Sequence, residues 1–314
     1  MQTQYIGITQ EIETFGKLEL KESILRTDTL ILEYELEDLK IELYKKTALI
    51  VEKISTFNDL LEILEQKKLN LEMLADYYEK SVSVTEGFKT SVELYKKIFS
   101  VEDTILDIKD KLESAKGEFK YLTNEDFDSV QKANITQDFF KEDIKKSPKY
   151  RIFEIKTKRL ELQSKLEERQ KYSNIKLNVS YNNRQNFDDY LSFSTSFALP
   201  IYGSEDAKVK KAKYLSVENL KKESDFFQNR VMIFDNSYKK VEYLRKRVEN
   251  LNTIIERYAK LNEYDKSNII NRITLDKNIQ NENLLLDLKV QKLKYKLDIT
   301  TVLLELFYIT KESI

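Results

Sequence analysis

Histidine and cysteine are both absent from the 314 residues. That removes the usual general base, the commonest metal ligand and every thiolate. No catalytic triad, phosphate loop or metal-ligand cluster is available in what remains, so no enzyme activity, cofactor or metal site is expected. The residues whose types and spacing are informative do a different chemistry: they separate oil from water. Ile175 to Tyr181 reads IKLNVSY, and Tyr190 to Leu199 reads YLSFSTSFAL. In extended backbone, alternate side chains point to opposite faces. Ile175, Leu177, Val179, Leu191, Phe193, Phe197 and Leu199 then share one face, and Lys176, Asn178, Ser180, Ser192, Ser194 and Ser196 share the other. The spacing predicts a β-hairpin over 175–199 with one apolar and one wet face, closed by the polar loop NNRQNFDD at 182–189. Two settings fit such a hairpin: a barrel wall between lipid and water, or the cover of a soluble core. A shorter alternating run, YIGITQEI at 5–12, predicts one more strand.

The elements that must position these strands are helical. Gly 5 and Pro 2 are too few to break the chain often, and Lys, Glu and Leu abound, which favours long helices. One helix is expected from about Leu18 to Glu79. Its seam is Leu25, Leu32, Leu36, Leu39, Leu43, Ile50, Ile54, Phe57, Leu61, Leu64, Leu71, Leu74 and Tyr78, in coiled-coil steps. Some 60 residues at ~1.5 Å each make a rod of roughly 90 Å, which needs partner helices. A polar break at 81–91 leads to a return helix over 87–116, and 117–146 is mixed, with weak periodicity. Ser147-Pro148 opens a helix to about Tyr172. After the hairpin, Pro200-Ile201-Tyr202-Gly203 ends the strand. A second long helix runs over 205–261 on the seam Phe227, Val231, Phe234, Tyr238, Val241, Leu244, Val248, Leu251, Ile255 and Tyr258. A polar break at 262–268 then precedes a last helix over 269–310. Lys+Arg 53 and Asp+Glu 54 nearly cancel, so no nucleic-acid partner is expected. No run of 18 apolar residues predicts a membrane-spanning helix.

The order strand, glycine, long helix, polar break, return helix occurs twice. GITQEIETFGK (Gly7 to Lys17) aligns with STSFALPIYGS (Ser194 to Ser204). The chain is therefore read as a first repeat over 1–146 and a second over 147–314. The first copy lacks a first strand and the helix before it. Residues 1–20 lack the basic start, apolar centre and cleavage site of a signal peptide. Both features are expected upstream of Met1, in a form whose N-terminus is truncated here.

This layout resembles the TolC-like outer-membrane efflux family, which includes heavy-metal and drug efflux members. The resemblance is carried by Ser147-Pro148, the helix that follows, the hairpin, and Leu199-Pro200-Ile201-Tyr202-Gly203, and it extends over nearly the whole chain. It implies a mainly α fold with a small β part. Long antiparallel coiled-coil helices would form an α-barrel subunit, and the strands would belong to a trimeric transmembrane β-barrel. The apolar strand residues would face lipid and the wet ones the lumen. Residues 117–146 would belong to an equatorial belt. It further implies a homotrimer in the outer membrane with a periplasmic helical tunnel, working with a periplasmic adaptor (membrane fusion) protein and an inner-membrane pump.

In the family's second repeat, Tyr-x-x-Gly is followed by acids six and nine positions after the glycine. Tyr264-Asp265-Lys266-Ser267 matches with serine in the glycine position, and Asp276 matches the later acid. Ile273 stands where the earlier acid is expected and Ile269 where some members carry arginine. In the first repeat Gly87 matches the glycine and Glu93 lies six residues later. The resemblance thus implies a periplasmic gate at Glu93, Tyr264 and Asp276, and adaptor-docking tips at Gly87 and Ser267. Three copies of one carboxylate around a narrow pore would attract cations. The helical seams alone fit another reading equally well, a soluble or periplasmic coiled-coil structural or adaptor protein.

Overall fold

The computed structural model describes residues 3–81, 84–127, 138–184, 187–197, 204–267 and 272–313. In chain order these form β1 (Thr3–Ile12), α1 (Lys17–Ser81), α2 (Val84–Thr123), a 3-10 turn (Lys141–Lys146), α3 (Pro148–Gln170), β2 (Ile175–Arg184), β3 (Phe187–Ser196), α4 (Ser204–Ser267) and α5 (Arg272–Thr310). The fold is mainly helical with one small sheet, as the periods require. The chain divides into two compact units. The first holds 1–39, 142–230 and 312–314; the second holds 40–141 and 231–311.

In the first unit the strands form an antiparallel sheet of order β1-β2-β3. α3 packs on the first part of α1 and on the first part of α4. Three ion pairs join α3 to α1: Arg159 with Asp28, Lys156 with Glu35 at 3.6 Å and Lys149 with Asp38 at 3.8 Å. Towards α4, Tyr150 donates its hydroxyl hydrogen to Glu223 at 2.9 Å. Asn219 Nδ2 donates to the Phe153 carbonyl at 3.1 Å and to Thr157 Oγ1 at 2.8 Å.

The second unit is built on an α1–α2 hairpin. The α2 seam is Leu94, Ile98, Val101, Ile105, Ile108, Leu112, Ala115 and Phe119, in unbroken alternating steps of four and three. It meets Ile50, Val51, Ile54, Leu60, Leu64, Leu71, Leu74 and Ala75 of α1, with Ile279 of α5 joining at the Leu74–Leu94 end.

Five expectations need correction. The return helix begins at Val84 and ends at Thr123, not over 87–116. Its heptad continues through Phe119, Gly117 has open space beside it, and left-handed Asn124 (φ 58°) supplies the stop. The polar break expected at 262–268 is helical as far as Ser267, with Asn262 buried in the packing. The polar loop at 182–189 is mostly strand, because β2 reaches Arg184 and β3 begins at Phe187. There Asp189 accepts hydrogen bonds from the Arg184 backbone N–H at 3.2 Å, from Asn183 Nδ2 at 3.1 Å and from the Tyr181 hydroxyl. Finally, the early α1 seam is not the buried one. Ile24, Thr27, Ile31 and Ile41 are buried, while Leu25, Leu32, Leu36, Leu39 and Leu43 are exposed. From Ile50 onward the expected seam holds. On α4, Phe234, Val241, Leu244 and Leu251 are buried as expected, but Tyr238 is exposed and stacks on Phe234.

Candidate functional site

The sheet register turns the alternation into rows. Ile6, Tyr181 and Leu191 lie side by side; so do Ile8, Val179 and Phe193, and Gln10, Leu177 and Thr195. Ile12 pairs with Ile175 on the same face. The opposite face carries Gly7, Ser180 and Ser192; Thr9, Asn178 and Ser194; and Glu11, Lys176 and Ser196. Each predicted apolar and wet strand residue up to Ser196 therefore falls on its predicted face. The apolar face is uncovered: Ile6 is 80% exposed, Ile8 76%, Phe193 75% and Phe197 66%. Leu199 lies outside the described residues. Gly7 has a steric role, since a Cβ there would come within 3.0 Å of Ser180 Cβ and 3.3 Å of the Val179 carbonyl oxygen.

A polar clasp joins the sheet to the helices. Phe15 (φ 60°) and Gly16 (φ 69°) both take left-handed backbone, turning β1 sharply into α1. The Phe15 ring packs on Tyr172, centroids 4.5 Å apart. Lys17 is buried, and its ammonium donates to the Tyr172 carbonyl and to Asn174 Oδ1 at 2.6 Å. Burial lowers its pKa from the ordinary lysine value. A positive charge there also complements the end of α3, where carbonyls lack helical partners. Thr14 Oγ1 donates to the Ser173 carbonyl at 2.8 Å, and Asn174 Nδ2 donates to Glu11 at 2.7 Å.

The second unit holds the carboxylates. Asp276 of α5 accepts a hydrogen bond from the Tyr78 hydroxyl of α1 at 2.8 Å and another from Gln280 Nε2 at 2.9 Å. Burial first, then the bond to Asp276, pushes the Tyr78 phenol up to about 12. Glu93 of α2 and Asp276 line one groove of about 570 Å³, with Lys67, Lys97 and Asp287 beside them. Lys67 pairs with Asp287, and Asn70 Nδ2 donates to Asn283 Oδ1 at 3.4 Å, so α5 is tied to α1 by several polar contacts.

No family model matches the sequence, and no curated protein matches it. Solved structures do. The Campylobacter jejuni CmeC outer membrane channel superposes with TM-score 0.81 at 13% identity, over 99% of this chain and 71% of that one. The open-state Neisseria gonorrhoeae MtrE outer membrane channel gives TM-score 0.80 at 13% identity, over 98% and 79%. CusC, described by its folding and transmembrane channel formation, gives 0.80 at 12%, over 98% and 77%. The fold is that of the TolC-like outer-membrane channels.

Within that fold the three expected gate residues are not all gathered. Glu93 and Asp276 share the groove, whereas Tyr264 is 68% exposed on α4 and absent from the groove lining. The tyrosine on Asp276 is Tyr78, which the sequence showed only as the last member of an apolar seam. Gly87 is buried near the start of α2. Ser267 ends α4, and its side chain lies outside the described residues, as do Ile269 and the side chain of Ile273. Among the described residues no helix is long and apolar enough to cross a membrane, which says nothing of a β-barrel.

Proposed function

We propose that this chain is a subunit of an outer-membrane export conduit, passing small molecules, metal ions or proteins from periplasm to exterior with no chemistry of its own. The observation that carries the reading is the two-faced sheet. Ile6, Ile8, Leu191 and Phe193 are 61–80% exposed on one side, and hydroxyls and amides occupy the other. Burying such a side chain is worth roughly 1.5–3 kcal/mol. An uncovered row of them is costly in water and at home in lipid. A homotrimer would bring each β1 edge to a neighbour's sheet and leave the wet faces lining a lumen, since open edges are not tolerated in hydrocarbon. The fold likeness supports the same reading.

In this proposal Glu93 and Asp276, each repeated three times, form acidic rings that favour cations, and the Tyr78–Asp276 bond holds α5 against α1. The helix ends at Gly87 and Ser267 dock a periplasmic adaptor protein that couples the conduit to an inner-membrane pump. The competing reading, a soluble coiled-coil scaffold, gives no role to the apolar face of the sheet. The full chain, purified in detergent and added to a planar bilayer, is expected to give discrete conductance steps, and Phe193→Asp is expected to abolish them while helix content is kept. A wild-type chain that fractionates as soluble and leaves the bilayer silent would overturn the conduit.

A further inference from the structure

The apolar face of the sheet stops at its last row, Ile12 beside Ile175. Just beyond it the exposed rings of Phe15 and Tyr172 pack together, and Leu18 is exposed in the first turn of α1. Aromatic side chains of this kind collect where lipid meets water. The charges that follow are not balanced. The whole chain sets 53 basic residues against 54 acids. Residues 163–173, at the end of α3, and 204–213, at the start of α4, together hold seven basic residues against the four acids Glu167, Glu168, Glu205 and Asp206.

Ion pairing does not remove the excess. Lys171 pairs with Asp206 and Lys213 with Glu168. On the strands and α1 beside them, Lys176 pairs with Glu11, Lys21 with Glu13 and Arg26 with Glu22. Lys165, Arg169, Lys208, Lys210 and Lys211 are exposed, and none of them forms an ion pair among the described residues. Lys210 feels Asp206 and Arg169 feels Glu168, but those acids are already held by Lys171 and Lys213. Of the remaining acids, Glu167 accepts a hydrogen bond from Gln163 at 2.8 Å, Glu19 stands in the first turn of α1, and the side chain of Glu205 lies outside the described residues. α4 turns Val209, Ala212 and Ser216 inward, so Lys210, Lys211 and the 74% exposed Tyr214 lie on its open side.

We propose that Lys208, Lys210 and Lys211, with Lys165 and Arg169 of α3, form a docking surface for the phosphate headgroups of anionic phospholipid in the bilayer around the sheet. The inference rests on the conduit reading, which puts the apolar face of the sheet in lipid. The depth fits. The three lysines stand four to seven residues beyond Ser204, the start of α4. At ~1.5 Å per residue this is roughly 6–10 Å along the helix. The headgroup layer outside the hydrocarbon is about 5–8 Å thick on each side, and a lysine stem lets its ammonium reach across the difference. The selectivity follows from charge. A zwitterionic headgroup offers these cations no net attraction, whereas a phosphatidylglycerol phosphate keeps its negative charge uncompensated.

The full chain, purified in a neutral detergent, is mixed with equimolar phosphatidylglycerol and phosphatidylcholine and re-isolated, and its bound lipids are quantified by mass spectrometry. Phosphatidylglycerol is expected to be enriched about tenfold over phosphatidylcholine. In Lys208→Gln/Lys210→Gln/Lys211→Gln the enrichment is expected to vanish while the total lipid bound is kept. The same three positions changed to arginine should retain it, as should Lys239→Gln/Lys240→Gln, at exposed sites further along α4. All the changed lysines are exposed, so circular dichroism and melting temperature are expected to match the parent. Equal retention of the two lipids by the parent, or enrichment that survives in the glutamine triple variant, overturns the inference and leaves the conduit standing. Absence of any bound lipid overturns the conduit and this surface with it. Loss of the enrichment when inorganic phosphate is added at constant ionic strength would assign the lysines to free phosphate and overturn the inference equally.

Discussion

Replacing Lys17 by methionine tests the clasp that joins sheet to helices. The ammonium is buried and satisfies the Tyr172 carbonyl and Asn174 Oδ1 together. Methionine keeps the length of the side chain and removes both donors. Each acceptor left without a partner costs about 1–3 kcal/mol. Removing a charge that the fold penalises, as the lowered pKa of Lys17 indicates, returns part of this. The net loss expected is about 2–4 kcal/mol, confined to the junction because the seams of the second unit do not involve Lys17. Native-state hydrogen exchange is the fitting assay, since it reads opening segment by segment. At 1.4 kcal/mol per tenfold, amides of the 11–17 and 172–177 segments are expected to exchange about 30- to 1,000-fold faster. Exchange there within threefold of the parent would refute the reasoning. So would loosening that appeared first in α2 or α5.

Gly7→Ala is expected to cost about 1–2 kcal/mol, from the approach to Ser180 and the Val179 carbonyl, and Ser180→Gly in the same chain should restore part of it in thermal melts. The Tyr78 and Tyr150 phenols are both raised to about 12 in the fold, by burial first and then by bonds to Asp276 and Glu223. Because the folded values lie above the ordinary 10, the stability they contribute is fully present below pH 10 and is lost as pH rises from 10 through 12. The melting temperature should therefore fall more steeply over that interval in the parent than in Tyr78→Phe/Tyr150→Phe, and parallel pH curves would contradict it.

The strands and the long helices were legible in the chain because both follow from local periods. Two-residue alternation predicted the faces of Ile175 to Ser196, and cross-strand register then aligned them with Ile6 and Ile8. The polarity of residues 182–189 predicts a loop, whereas Asp189 gathers donors from three residues and lets pairing continue. Gly117 predicts a boundary that the helix does not have. A glycine on an open helix face costs only about 1 kcal/mol, and the seam through Ala115 and Phe119 outweighs it. Tyr78 is not legible as a gate residue in the sequence because its partner, Asp276, lies 198 positions away.

By itself the sequence determined what kinds of surface this protein makes: two-faced strands and long rods seldom broken by glycine or proline, in a chain without histidine or cysteine. Those properties are set by neighbours a few positions apart. Which stripe of α1 turns inward was a tertiary decision. The isoleucine and leucine stripes carry similar periodicity, and it was α3, with Arg159, Lys156 and Lys149 reaching for Asp28, Glu35 and Asp38, that drew Ile24 and Ile31 in and left the leucines out. Periodicity specifies a face on a helix; only the position of a second helix specifies which face is covered.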